Sequence, residues 1–161
     1  MVTTYIEIKD HLVEYMHHKY LVKDSDYIDI PHSDDLYYVL NNLRTRRPMN
    51  STENTGNMKF RVPAPRSGRD PEIYNHYSSA AIASIQSRIN RMFKAEFHDF
   101  MDHRVDECGD TIIEAALLFM AKYKITSIEL DSLSKDYYRW RKKHRAVRKV
   151  RAYNCQNKQY K

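Results

Sequence analysis

The chain has 161 residues, is 42% hydrophobic and 30% charged, and carries a formal net charge of +6. That length fits one domain, or one domain with a small appendage, and is enough to bury a core without disulfide staples. Thirteen tyrosines against three glycines exclude a collagenous or low-complexity chain, and such aromatic content excludes disorder throughout.

Residues 2–8 alternate as a short strand around Tyr5, Ile6 and Ile8. Asp10 to Tyr20 then read as a helix, with Leu12, Val13, Met16 and Tyr20 at three- and four-residue spacing. Tyr27-Ile28-Asp29-Ile30 reads as a second extended piece, stopped by Pro31. Ser33-Asp34-Asp35 supplies an N-cap and two first-turn carboxylates for a helix carrying Leu36, Val39, Leu40 and Leu43. That helix should end before Pro48, because the residue ahead of proline is pushed out of the α region. Met49–Asn57 is polar and reads as a loop, and Met58-Lys59-Phe60-Arg61-Val62 alternates as a strand. Pro63 to Pro71 holds three prolines and Gly68, the composition of a linker or surface loop.

The remainder is more regular. Ser78 or Ser79 caps a long helix to about His103, with Ile82, Ile85, Ile89, Met92, Phe93, Phe97, Phe100 and Met101 as its apolar stripe. Gly109 breaks the chain and Asp110 caps the next helix, whose Ile112, Ile113, Ala116, Leu117, Met120 and Tyr123 cover much of its circumference. This pattern predicts the central core helix. Ile125-Thr126-Ser127 reads as a short turn, with Thr126 and Glu129 in capping-box register. A final helix places Leu133, Tyr137 and Trp140 toward the core, with His144 and Val147 continuing the spacing.

The charge is unevenly distributed. No acidic residue follows Asp136, and ten basic residues lie between Arg139 and Lys161, so the body carries −4 and the tail +10. A row of cations gains free energy by releasing counterions condensed on phosphates, which points to nucleic acid. The competing reading is a solvated face that serves solubility. A core helix, a short turn and a helix with one apolar and one basic face resemble a helix-turn-helix pair, whose second helix enters the major groove. The turn Tyr123-Lys124-Ile125-Thr126 departs from that pattern in lacking glycine.

On this reading Lys135, Arg139, Lys142 and Lys143 contact DNA, while Arg145, Arg148 and Arg151 anchor backbone phosphates. Arg44, Arg46, Arg47, Arg61, Arg66 and Arg69 would extend a phosphate-binding track onto the N-terminal half. RNA is an alternative, since bases stack on aromatic rings and guanidinium planes, provided Trp140 of Arg139-Trp140-Arg141 is exposed.

Signals for chemistry are sparse. His98–Asp102 and Asp99–His103 are i,i+4 pairs, but their neighbours Phe97, Phe100 and Met101 define the buried face, so they read as outward surface pairs. His17 and His18 are adjacent and point to different faces. Nothing in the spacing of Asp24, Asp26, Asp29, Asp34 and Asp35 forces the convergence that a two-metal site needs. No glycine-rich phosphate loop, Cys-x-x-Cys, His-Glu-x-x-His or Gly-x-Ser-x-Gly occurs. No enzyme, cofactor or metal is expected. Cys108 and Cys155 read as free thiols in a cytoplasmic protein. The longest clean apolar stretch, Ala115–Ala121, is too short for a membrane span, and Met1–Glu7 does not read as a secretory signal.

The stretch from Tyr27-Ile28-Asp29-Ile30-Pro31-His32-Ser33-Asp34-Asp35-Leu36 to Arg46-Arg47-Pro48 resembles small basic proteins of Bacteroides phages and mobile elements. So does the ending Leu133-Ser134-Lys135-Asp136-Tyr137-Tyr138-Arg139-Trp140-Arg141-Lys142-Lys143. The resemblance covers most of the chain and brings no catalytic residues. It implies a mobile-element setting in which small basic proteins handle DNA.

The sequence therefore predicts a mostly helical α+β protein. Residues 1–62 form an N-terminal α+β part and 63–77 a linker or surface loop. Residues 78–152 form a three-helix bundle with a helix-turn-helix-like pair, and 153–161 a polar basic tail. Its expected role is non-catalytic binding of nucleic acid, duplex DNA first, as a regulator or accessory factor, with a homodimer suited to symmetric half-sites. The alternative class is a structural or protein-interaction module with a basic tail.

Overall fold

The computed structural model describes residues 1–49, 52–64 and 68–158, and from residue 145 onward only the helical backbone is described. The fold is mixed α+β and mostly helical. In chain order the elements are β1 (Thr3–Ile6), α1 (Asp10–Tyr20), α2 (Asp35–Leu43), β2 (Met58–Arg61), α3 (Ser79–Asp102), α4 (Ile112–Tyr123) and α5 (Leu130–Lys158). A π-helical turn, His103–Glu107, follows α3. Two compact units divide the chain: Met1–Ala95 with Lys122–Ser127, and Glu96–Ala121 with Ile128–Lys161. The division falls within α3, so residues 63–77 belong wholly to the first unit.

In the first unit β1 and β2 pair antiparallel, with Thr4 opposite Phe60 and Ile6 opposite Met58. These four residues are buried, while Tyr5 and Arg61 are exposed, as the two-residue period of a half-buried strand requires. The strand stops at Ile6, and the Asn57 side chain takes over its pairing. Asn57 Oδ1 accepts from Ile8 N at 3.0 Å, and its Nδ2 donates to Ile8 O at 2.7 Å. Gly56 passes against this edge so closely that an added Cβ would lie 2.2 Å from the Ile6 carbonyl carbon, a space only glycine fits.

The extended piece expected at Tyr27–Ile30 is shorter than a strand. Only Ile28 bridges, in parallel to Phe60 and antiparallel to Leu21, before Pro31 ends the run. Asp34 is itself the N-cap of α2, accepting from Leu36 N at 2.9 Å, so Asp35 alone remains of the two first-turn carboxylates expected there. Leu12, Tyr15 and Met16 of α1 and Leu36 and Leu40 of α2 are fully covered, as are Ile28, Met58 and Phe60. From α3, Ile85, Ile89 and Phe93 join them at four-residue steps. Tyr15 meets Phe93 edge-on at 5.4 Å and Tyr123 at 5.2 Å.

The second unit is organised around the C-terminal end of α3. Phe97 packs on Phe119 of α4 at 5.0 Å and faces Tyr137 of α5 at 6.5 Å. The central helix is therefore α3, which corrects the expectation for α4. Only Ala115, Ala116, Phe119 and Tyr123 of α4 are buried, whereas Ile113, Leu117 and Leu118 are exposed. High apolar content does not by itself make a helix central, because a helix buries only the face that meets a neighbour. The α4 cap also differs: Thr111, not Asp110, forms a capping box with Glu114. Thr111 Oγ1 accepts from Glu114 N at 3.3 Å, and Glu114 Oε2 accepts from Thr111 N at 2.9 Å.

Six residues, Lys124–Glu129, separate α4 from α5, so the connection is longer than the turn read from the sequence. Lys124 turns the chain in the left-handed region at φ 52°, the conformation with which helices often end. Thr126 does not cap α5. It is held by Glu14, as is Ser127: the backbone N–H and hydroxyl of both residues donate to that one carboxylate at 2.7–3.2 Å.

Candidate nucleic-acid interface

The amphipathic design of α5 follows from helical arithmetic. At about 100° per residue, Lys135, Arg139, Lys142 and Lys143 fall within an arc of roughly 100°. Leu133, Tyr137 and Trp140 fall about half a turn away. Leu133 and Tyr137 are buried, and Trp140 is half-buried. The Tyr137 hydroxyl donates to Asp102 Oδ1 at 2.7 Å. Burial, reinforced by that carboxylate, pushes the Tyr137 phenol well above its ordinary pKa. Trp140 stacks on His98 at 4.5 Å with 20° between the planes, and also touches Tyr137 and His144.

His98 is buried, and its Nε2 lies 2.9 Å from Asp136 Oδ2. This corrects the expectation that His98 and Asp102 form an outward pair on one helix. Both reach α5 instead, at Asp136 and Tyr137, and His103 pairs with Glu107 rather than Asp99. The i,i+4 spacing names side chains that can meet on one helix, but it could not register that a second helix lay alongside. Arg141 is held inward, paired with Asp106 and with its guanidinium carbon 5.8 Å from the centre of the Tyr137 ring.

On the opposite arc Arg139, Lys142 and Lys143 are exposed, and among the described residues none of the three has an ion-pair partner. Lys135 differs, since its Nζ lies 2.6 Å from Asp131 one turn earlier. Tyr138, beside this arc, is 59% exposed. Arg145, Arg148 and Arg151 lie on the helical backbone of α5, but their side chains are outside the described residues. The helix itself continues to Lys158, into the part read as a tail.

Among the described residues the arginine track expected on the N-terminal half does not form. Arg44 is fully buried, its Nη1 donating to Pro63 O at 2.6 Å and its Nη2 to Arg69 O at 2.8 Å. Arg69 reciprocates by donating to Arg44 O at 2.7 Å. Arg47 pairs with Glu53, and Arg61 with Asp29. Arg46 is exposed, and Arg66 lies outside the described residues. A run of arginines reports charge and not direction, and here four of the six are used within the unit.

Among the described residues no group of three or more His, Cys, Asp or Glu side chains is placed to hold a metal ion. No described helix is long and apolar enough to cross a membrane. No protein-family model matches the chain, and no curated protein or solved structure matches it.

Proposed function

We propose that the protein binds nucleic acid without catalysis, duplex DNA first, through the cationic arc of α5, in a regulatory or accessory role. The observation that carries this reading is the pairing pattern on α5. Asp106 neutralises the inward Arg141, while Arg139, Lys142 and Lys143 point outward with no carboxylate opposite them among the described residues. No acidic residue follows in the chain. Such an arc gains free energy by replacing counterions along a phosphate backbone, and Tyr138 can add a hydroxyl to a phosphate or pack on a sugar. Lys135 contributes less, because Asp131 already offsets its charge. RNA ranks below duplex DNA because Trp140, the ring best suited to base stacking, is already engaged with His98 and His144. The cytoplasmic and mobile-element setting and a two-fold dimer belong to this proposal.

The test is a fluorescence-anisotropy titration against duplex DNA over a range of salt. Intact protein should bind, with log Kd linear in log salt. The variant Arg139→Ala/Lys142→Ala/Lys143→Ala should bind more weakly, with a salt slope lower by about one for each phosphate that it no longer neutralises. Failure of the intact protein to bind any duplex at low salt would end the reading.

A second reading, a protein-interaction module, draws on the exposed Ile113, Leu117 and Leu118 of α4. Unchanged duplex binding in the triple variant, together with loss of a partner on Leu117→Ser, would favour it.

A further inference from the structure

We propose that Cys108 is a thiol–disulfide exchange site, with His103 as its proton acceptor and Glu107 holding the imidazole in place. The proposal is independent of the nucleic-acid reading.

The site arises where α3 ends. The chain widens into the π-helical turn His103–Glu107, and Cys108 N donates to His103 O, five residues back, at 3.2 Å. Such turns are uncommon and recur at functional positions. Here the turn brings Cys108 Sγ to 3.9 Å from His103 Nε2, within reach of a sulfur hydrogen bond. On the other side of the ring, His103 Nδ1 lies 2.8 Å from Glu107 Oε2. A carboxylate only accepts, so Nδ1 carries the proton in this pair, and in the neutral imidazole Nε2 then presents its lone pair to the thiol.

The arrangement of nucleophile, base and orienting group is the one that activates a thiol. The nearby carboxylates are committed elsewhere: Asp102 to Tyr137, Asp106 to Arg141 and Asp110 to Arg104. Glu107 is left for His103. Cys108 is exposed, so a small molecule can reach it.

The chemistry balances with one co-reactant, a small-molecule disulfide. His103 Nε2 takes the thiol proton as Cys108 Sγ attacks one sulfur of that disulfide. The Sγ–S bond forms and the disulfide S–S bond breaks. The departing thiolate then takes the proton from His103. Cys108 ends oxidised as a mixed disulfide, and half of the small molecule ends reduced as a free thiol.

The experiment uses the full chain carrying Cys155→Ser, so that one thiol remains, with glutathione disulfide as the probe. The rate of mixed-disulfide formation at pH 7 is followed by mass spectrometry. Native protein should react about tenfold faster than the same protein unfolded in urea, and about tenfold faster than the version that also carries His103→Ala. Added imidazole should restore part of the His103→Ala rate, a response that a purely structural histidine would not give. Glu107→Gln should fall between the two. His103 and Glu107 are both largely exposed, so these variants keep the fold, and circular dichroism verifies that. Equal rates for native, unfolded and His103→Ala protein would overturn the proposal, as would an absence of imidazole rescue.

Discussion

Arg44 carries its guanidinium into a fully covered place with carbonyl oxygens, not a carboxylate, as hydrogen-bond partners. Burial holds its pKa below the ordinary arginine value, but the group stays charged at any ordinary pH. Its fork ties together two points of the chain between Pro63 and Arg69, which a compact ammonium could not span in the same way. Beside it, Tyr77 is buried and its hydroxyl donates to Leu40 O at 3.2 Å. Burial pushes the Tyr77 phenol far above 10, although the nearby Arg44 charge opposes the shift. The folded state thus keeps the proton that the unfolded chain releases near pH 10. The stabilisation is complete below that pH and is lost as pH rises beyond it, by about 1.4 kcal/mol per unit. Urea unfolding at pH 8, 10 and 11 should show this decline in the native sequence. Tyr77→Phe should flatten it in part, since Tyr137 is shifted in the same direction and remains. An identical decline in Tyr77→Phe would remove Tyr77 from the account.

Among the elements, those set by local rules were legible in the sequence. The Asp10–Tyr20 helix, a cap within Ser33–Asp35 and the start of α3 need only periodicity and nearby side chains. So did the inward placement of Leu133 and Tyr137, from which the opposite cationic arc follows. The Thr111–Glu114 box of α4 is local and was passed over for the adjacent Asp110, but most of what escaped depends on residues distant in sequence. Glu14 is the clearest case, because its partners lie more than 110 residues away and Thr126 reads locally as a cap. Burial raises the Glu14 carboxyl, but four hydrogen bonds from Thr126 and Ser127 outweigh it and leave the pKa below the ordinary value. The sign follows: this contribution is present above about pH 4.5 and is lost as pH falls through the folded-state value. Glu14→Gln should cost about 1 kcal/mol at pH 7, a modest figure because the site is partly solvated. Urea unfolding should show the gap between Glu14→Gln and the native sequence closing by pH 3. A gap of equal size at both pH values would mean that the carboxylate charge plays no part in holding Thr126 and Ser127.

For the whole molecule the deciding quantity is the separation of charge, a body of −4 against a tail of +10. Like charges along α5 repel one another, and a polyanion that binds the folded helix relieves this while stabilising the fold by mass action. Duplex DNA at about 100 times its Kd should add about 2.7 kcal/mol. For a chain of this size that is roughly 5–10 °C in Tm. The two compact units sharpen the expectation, since α5 belongs to only one of them. Where the units melt in separate steps, the duplex should move only the step of the unit that holds α5. Where α3, continuous through both, makes them melt together, the single transition should move by a smaller amount. Differential scanning calorimetry with and without duplex distinguishes these outcomes, and the shift should shrink in Arg139→Ala/Lys142→Ala/Lys143→Ala. A melting profile indifferent to saturating duplex at low salt would mean that the cationic arc of α5 does not take up a phosphate backbone in the folded protein.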